Sequence, residues 1–265
     1  MKKIKPSRNT DDVDSILDSA LSLKTKNKSL YDGFKKNKTI NEVLDKPTVL
    51  TIYEMIKSQI LSYVNGVIRA GKESVVFWAV SPDNDDIALK TYLISTSSFK
   101  KRASYILGDP RFSRIKSGTR NLVYLWAKKE YQNLTSCIGC GIPVVKPIAV
   151  RKNVLVLEFI GKNGVPEKTL VECQVNKKDY KSAILLIEQL YKKAHLVHGD
   201  FSEYNMFKTK NGLILFDLGS AVDLQHPNSQ ELLKRDINNI SRFFVKRGLT
   251  VENPIDVLKK IQNEL

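Results

Sequence analysis

The stretch His198-Gly199-Asp200-Phe201-Ser202-Glu203-Tyr204-Asn205, followed by Asp217-Leu218-Gly219, constrains this chain more than any other. Leu196-Val197-His198 reads as a short strand entering a tight loop that carries Asp200. Met206-Phe207 leaves as a second strand, with Asn205 at its start. Asn211-Gly212 is a hairpin turn, and Leu213-Ile214-Leu215-Phe216 is the return strand. Such a hairpin sets Asn205 and Asp217 at adjacent strand ends, within reach of one cation. A carboxylate, an amide five positions on, and an Asp-x-Gly after an apolar run are the oxygen donors of a phosphoryl-transfer centre. Asp200 is then the candidate catalytic base, and Asn205 and Asp217 the candidate metal ligands. His-x-Asp alone is a common tripeptide, which an ordinary hairpin with polar ends would also carry. The register of all three groups gives the pattern its weight.

Phosphoryl transfer also needs a phosphate loop and a lysine upstream. Val67-Ile68-Arg69-Ala70-Gly71-Lys72-Glu73-Ser74-Val75-Val76-Phe77 reads as strand, turn, strand, and Ile87-Ala88-Leu89-Lys90 as the strand that carries the lysine. Gly71, Lys72 and Ser74 are the candidate phosphate contacts. The turn lacks the three-glycine pattern and is not a Walker loop, so by itself it reads equally as a hairpin with a charged tip. A helix is expected over 120–138, from the spacing of Val123, Ala127, Leu134 and Ile138. Glu130 falls in that stripe and is the helix's only acidic residue. A carboxylate on a packed face needs a cation, and Lys90 is the natural partner. The alternative is that Glu130 reaches solvent at the stripe's edge. Lys128 and Lys129 are placed on the solvated side.

These residues carry a resemblance. The chain resembles the RIO-type atypical serine protein kinases, type-one branch, in an archaeal-like minimal form. The matching stretches are Leu44-Asp45-Lys46-Pro47-Thr48, Gly71-Lys72-Glu73-Ser74, Gly108-Asp109-Pro110-Arg111-Phe112, Trp126-Ala127-Lys128-Lys129-Glu130, Glu158-Phe159-Ile160-Gly161, Val197 to Asn205, and His226-Pro227 with Arg235-Asp236-Ile237-Asn238-Asn239-Ile240. The type-one branch usually has alanine where this chain has Gly199, and Ala-Asn where it has Ser74-Val75. Both departures resemble the type-two branch, but that branch carries an N-terminal winged helix, for which roughly 60 residues are too few.

The resemblance implies an α+β, bilobal protein-kinase-like fold with a truncated C-terminal lobe and an N-terminal helical extension. It implies ATP with Mg²⁺, or Mn²⁺ in its place, and adenine bound by backbone groups at Glu158 and Ile160. Asp217 would accept the phosphoryl group transiently. The implied activity is that of an autophosphorylating serine/threonine kinase or ATPase. The implied partners are the pre-small ribosomal subunit and its ribosomal RNA, and the expected location is cytoplasmic.

Charge fits a polyanionic partner: 43 Lys and Arg against 28 Asp and Glu give +15. The concentrations lie over 24–38 and 100–120, the second holding Arg102, Arg111, Arg114 and Lys116. No aromatic-interleaved RNA motif is visible, so contacts to phosphate and shape are expected. A merely basic surface is the other reading. No apolar run reaches membrane-span length, and no apolar core follows Met1-Lys2-Lys3, so neither a span nor a leader is expected. Cys137 and Cys140 have metal-ligand spacing without a second pair, and the three cysteines read as reduced thiols.

The expected domains are a basic, partly helical extension over 1–43, an N-lobe over 44–160 with an inserted flexible loop at 95–118, and a reduced C-lobe over 161–265. Within the extension a helix is expected over 11–23. Another should run from Lys46-Pro47 to about Tyr63. Strands are expected over 64–80, 86–94, 143–148 and 153–158, and helices over 180–194, 229–246 and from Pro254, the last with Ile255, Leu258 and Ile261 inward. Asp236 lies on an apolar stripe with Leu233, Ile240 and Phe244 and reads as a brace for the catalytic loop. About 48 residues follow Asp217, too few for a broad peptide platform. Ser113 and Ser117, near Arg111, Arg114 and Lys116, are the expected autophosphorylation sites.

Two other readings stay open on sequence. One is a small-molecule or tRNA-modification-complex kinase, since His-Gly-Asp also occurs in aminoglycoside phosphotransferase-like enzymes. The other is a non-enzymatic RNA-binding assembly factor with ATP as a ligand, against which the intact set of Lys90, Asp200, Asn205 and Asp217 speaks.

Overall fold

The computed structural model describes residues 44–94, 102–112 and 118–262. The helix expected over 11–23, the basic stretch to residue 43, and Ser95, Ser97, Ser98, Ser113 and Ser117 lie outside them.

Helix α1 (Lys46–Lys57) starts where the sequence directs it. Asp45 caps the Thr48 N–H at 3.1 Å, and Pro47 sits in the first turn. The helix stops short of the expected Tyr63, because Ser58 closes it on the Glu54 carbonyl and Gln59 takes a left-handed backbone, φ 53°. Strands β1 (Tyr63–Ala70), β2 (Ser74–Val80), β3 (Asp86–Tyr92), β4 (Pro147–Arg151) and β5 (Val154–Glu158) form a five-stranded antiparallel sheet ordered β1-β2-β3-β5-β4. Met55, Phe77, Leu89 and Val156 fill the core between α1 and the sheet. Period-two alternation shows in β2, where Val75, Phe77 and Ala79 are buried.

Helix α2 (Thr119–Gly139) crosses behind the sheet. Val123, Trp126, Ala127, Glu130, Leu134 and Cys137 are buried along it, whereas Ile138, expected inward, is 43% exposed. Residues 102–112, expected as part of a mobile insertion, are anchored. Two short 3₁₀ turns, Ala103–Tyr105 and Pro110–Phe112, bury Ile106, Asp109 and Phe112. His226, also buried, holds the segment from across the fold through the Ser104 and Leu107 carbonyls, at 3.0 and 3.1 Å.

The strand expected over 143–148 divides. Pro143 and Val145 exchange backbone bonds with Leu215 at 2.9 Å, while Pro147 begins β4. That split ties the sheet to the second lobe. After the hinge between the lobes, Glu158-Phe159-Ile160, come a tight hairpin, β6 (Gly161–Lys162) and β7 (Val165–Pro166), helix α3 (Lys177–Lys192) and strand β8 (Leu196–Val197). The hairpin of β9 (Met206–Thr209) and β10 (Gly212–Leu215), strand β11 (Val222–Asp223), α4 (Ser229–Lys246) and α5 (Pro254–Gln262) follow. In α5 the buried residues are Val257 and Ile261; Ile255, expected inward, is exposed. Leu186, Leu190, Phe201, Leu215, Leu233, Ile240 and Phe244 belong to one core, which also takes in Leu134 and Cys137 of α2. Among the described residues no helix is long and apolar enough to cross a membrane.

Candidate active site

The catalytic loop is braced from α4. Buried Asp236 accepts the Gly199 N–H at 2.7 Å and the Phe201 N–H at 3.0 Å, so the carboxylate fixes the backbone on both sides of Asp200. This is the role the apolar stripe assigned to it. Burial pushes the Asp236 carboxyl up to about 7, against the pull of those two N–H groups. Arg235 bonds the Gly199 carbonyl and, at 3.1 Å, the Tyr105 hydroxyl. Gly199 has φ 74°, and a Cβ there would stand 2.9 Å from the Ser220 carbonyl oxygen, so this loop path demands glycine. His198 is buried against the Phe201 ring, and burial lowers it to about 4, leaving it neutral.

Asn205 and Asp217 meet as the hairpin requires. The Phe216 N–H bonds the Asn205 carbonyl at 3.0 Å, and the Asn205 amide nitrogen donates to the Asp200 carbonyl at 2.9 Å. The second bond uses the amide nitrogen of Asn205 and leaves its amide oxygen out of that contact. Asp217 adopts φ 61°, a conformation uncommon outside glycine and typical of constrained functional positions.

The expected lysine–glutamate pair is present and buried. Lys90 Nζ lies 2.9 Å from both Glu130 oxygens and 2.9 Å from Asp217 Oδ1. Burial would lower the Lys90 ammonium, but Asp217 and Glu130 together raise it, so it stays charged. Burial raises the Glu130 carboxyl against the attraction of Lys90. Asp217 goes the other way: burial would raise it, and Lys90 holds it below the ordinary carboxylate value. Its side chain keeps 40% exposure, an ionised carboxylate open to a ligand. Asp200 is exposed, and its carboxyl is raised by partial desolvation first and by the Asp217 charge second.

A cleft of about 780 Å³ brings the expected residues together. Gly71, Lys72, Ser74, Lys90, Glu130, Glu158, Ile160, Asn205 and Asp217 all line it, with Ala88, Val145, Leu157 and Phe216 as apolar walls. Asp200 is outside that lining and joins it through Asn205. At the hinge, the Glu158 N–H is engaged by the Lys146 carbonyl and the Ile160 carbonyl by the Glu167 N–H, at 2.9 and 2.8 Å.

One part of the site runs against expectation. Lys129, placed on the solvated side by the sequence, is wholly buried and bonds the Gly219 carbonyl at 2.9 Å and the Ala221 carbonyl. Asn133, one turn on, donates to the Leu218 and Ala221 carbonyls at 2.8 and 3.0 Å. Helix α2 therefore grips the backbone just after Asp217 while Glu130 holds Lys90. The i, i+4 spacing of Lys129 and Asn133 on the turn after Trp126 was the available signal. Arg111 bonds the Asn133 oxygen at 2.7 Å and Asp109 at 2.9 and 2.7 Å, and Arg102 pairs with Glu73. Both arginines, expected at a polyanion surface, are partly buried and paired with carboxylates of the chain itself. Among the described residues no group of three or more His, Cys, Asp and Glu stands together as metal ligands would, and Cys137, Cys140 and Cys173 are free thiols.

Comparison with known proteins agrees with this geometry. The RIO domain model matches residues 75–256. The RIO-type serine/threonine-protein kinase Rio1 of Haloferax volcanii is 37% identical over 214 residues, covering 80% of this chain and 73% of that protein. Its namesake in Methanocaldococcus jannaschii is 37% identical over 212 residues, covering 79% and 72%. The serine/threonine-protein kinase rio1 of Dictyostelium discoideum is 38% identical, and the match spans 79% of this chain but 38% of that longer protein. The Rio2 kinase of Chaetomium thermophilum, solved as an ADP/Mg²⁺-phosphoaspartate complex, superposes with a TM-score of 0.61 at 23% identity, covering 80% of this chain and 65% of that one, and so shares the fold. With the lysine–glutamate pair, the Asp-x-Gly loop and the braced catalytic loop in place, the chain belongs to the RIO family of serine/threonine-protein kinases, on its type-one branch.

Proposed function

We propose that the chain is an ATP- and Mg²⁺-dependent serine/threonine kinase or ATPase. The observation that carries this is Lys90, which bonds Glu130 and Asp217 at once inside the cleft that Ser74, Lys72 and Asn205 also line. Asp217 is ionised, open, and held by one oxygen, and Asn205, whose amide nitrogen is engaged at the Asp200 carbonyl, lines the same cleft. A hard, oxygen-seeking cation such as Mg²⁺, or Mn²⁺ in its place, suits that donor set. When bound, the metal neutralises phosphate charge. Lys90 binds phosphate, Asp200 orients the attacking hydroxyl and takes its proton, and α2 keeps the Asp217 loop in place. Adenine contacts fall to the Glu158 carbonyl and the Ile160 N–H, since their partner groups are engaged. The phosphoaspartate of the Chaetomium relative supports Asp217 as a transient phosphoryl acceptor here.

The pre-small ribosomal subunit and its RNA are the partner this reading favours, supported by family membership and the +15 charge. A cytoplasmic location is supported by three free cysteines. The purified chain, given γ-labelled ATP and Mg²⁺ with and without small-subunit precursors, should release phosphate and label protein serine. Absence of both phosphate release and protein labelling under saturating ATP would overturn the proposal. Labelling of an aminoglycoside instead of protein would move it to the small-molecule class.

A further inference from the structure

Arg102 occupies a position that the roles above leave unexplained. It opens the first 3₁₀ turn of the 102–112 segment, and its guanidinium lies 4.9 Å from the Trp126 ring centre. Trp126 is fully buried, and its indole presses on Gly219 so closely that a Cβ there would lie 2.6 Å from Nε1. The guanidinium therefore rides on a ring that rests against the Asp217-Leu218-Gly219 loop. On its other side it pairs with Glu73, at the tip of the Gly71–Ser74 turn that roofs the cleft. The cation thus sits beside the cleft, just outside its lining, between the Gly71–Ser74 turn and the ring that backs the Asp217 loop.

A clasp that only closed the roof would account for the pair of Arg102 with Glu73, but not for its seat on the Trp126 ring behind the Asp217 loop. The side chain keeps 27% exposure and Glu73 keeps 22%, so the pair is open to exchange.

We propose, resting on the ATP-dependent reading above, that Arg102 is a catalytic residue that contacts the terminal phosphate. Glu73 holds the guanidinium in waiting, and bound triphosphate draws it away. The bond from the terminal phosphorus to the bridging oxygen breaks as an Asp217 oxygen bonds to phosphorus, and ADP departs. The acceptor hydroxyl or water oxygen then bonds to phosphorus as the Asp217 oxygen leaves, and the acceptor proton goes to Asp200. Arg102 donates to the non-bridging oxygens throughout and exchanges no proton. Its planar fork matches two phosphate oxygens at once, which an ammonium cannot do.

The test compares Arg102→Gln, Arg102→Lys and Glu73→Gln in the full chain, measuring ATP turnover, the Kd for ADP with Mg²⁺, and melting temperature. Arg102→Gln should lower kcat by about 10²–10³-fold, with ADP affinity and melting temperature close to wild type. Arg102→Lys should recover part of the loss, and Glu73→Gln should cost less than Arg102→Gln. Three results would overturn the assignment. One is a kcat for Arg102→Gln within a few-fold of wild type. Another is a loss of ADP affinity in proportion to kcat, which would make Arg102 a clasp for the roof. The third is an equal loss in Glu73→Gln, which would make the ion pair itself the active feature. A wild-type protein that never turns over ATP would instead bring down the functional reading on which the inference rests.

Discussion

Replacing Lys129 with methionine probes the least expected part of the site. Methionine keeps an unbranched chain of similar length without the charge. The Lys129 ammonium bonds the Gly219 and Ala221 carbonyls and lies 5.5 Å from the Trp126 ring centre. Losing it leaves buried carbonyls short of donors, at about 1–3 kcal/mol each. Against this, burial holds the ammonium down to about 7, from an ordinary 10.5. Each pH unit of that displacement is worth ~1.4 kcal/mol, so carrying the charge near pH 7 costs several kcal/mol. The opposing effects are of similar size, and the net change near pH 7 should stay within about 2 kcal/mol. The pH dependence separates them. The folded value lies below the unfolded one, so the unfolded chain binds more protons between about 7 and 10.5. Lys129's contribution to stability therefore rises with pH through that window and is lost as pH falls to about 7. From pH 7 to pH 9 wild type should gain about 2 kcal/mol relative to Lys129→Met. Urea unfolding at pH 7, 8 and 9, followed by the fluorescence of Trp78 and Trp126, measures it. Parallel pH profiles for the two proteins would refute a desolvated, charged Lys129.

Lys90→Ala and Glu130→Ala should be strongly non-additive in turnover, the double variant losing little more than either single one; additive losses would break the inferred ion pair. Asp236→Asn keeps one acceptor but turns an amide N–H₂ toward a backbone N–H. It should destabilise the fold by about 1–3 kcal/mol in urea unfolding and slow turnover; unchanged values in both assays would remove Asp236 as the loop's brace.

The sequence made the site legible wherever chemistry and spacing coincide. Asn211-Gly212 fixed the hairpin, the hairpin fixed Asn205 beside Asp217, and the apolar stripes of α2 and α4 located Glu130 and Asp236. Lys129 escaped because periodicity reports apolar positions, and a lysine is read as solvated unless its partners are known. Those partners are backbone carbonyls about ninety residues away, invisible to any local pattern. The same reason hid the order in residues 102–112. Their polar sequence resembles a loose insertion, but Asp109, Arg111 and His226 supply bonds that no hydrophobic count registers. At β4 the strand signal was sound but misplaced, because Pro143 and Val145 answer to Leu215 in the other lobe.

The central claim is that Asp217, with Asn205 and Lys90, forms a metal-assisted nucleotide site. Titration calorimetry of ADP with and without Mg²⁺, on wild type and on Asp217→Asn, tests it most directly. Wild type should bind ADP more tightly with Mg²⁺ present, and Asp217→Asn should lose that gain while still binding ADP alone. An undiminished Mg²⁺ enhancement in Asp217→Asn would contradict the account.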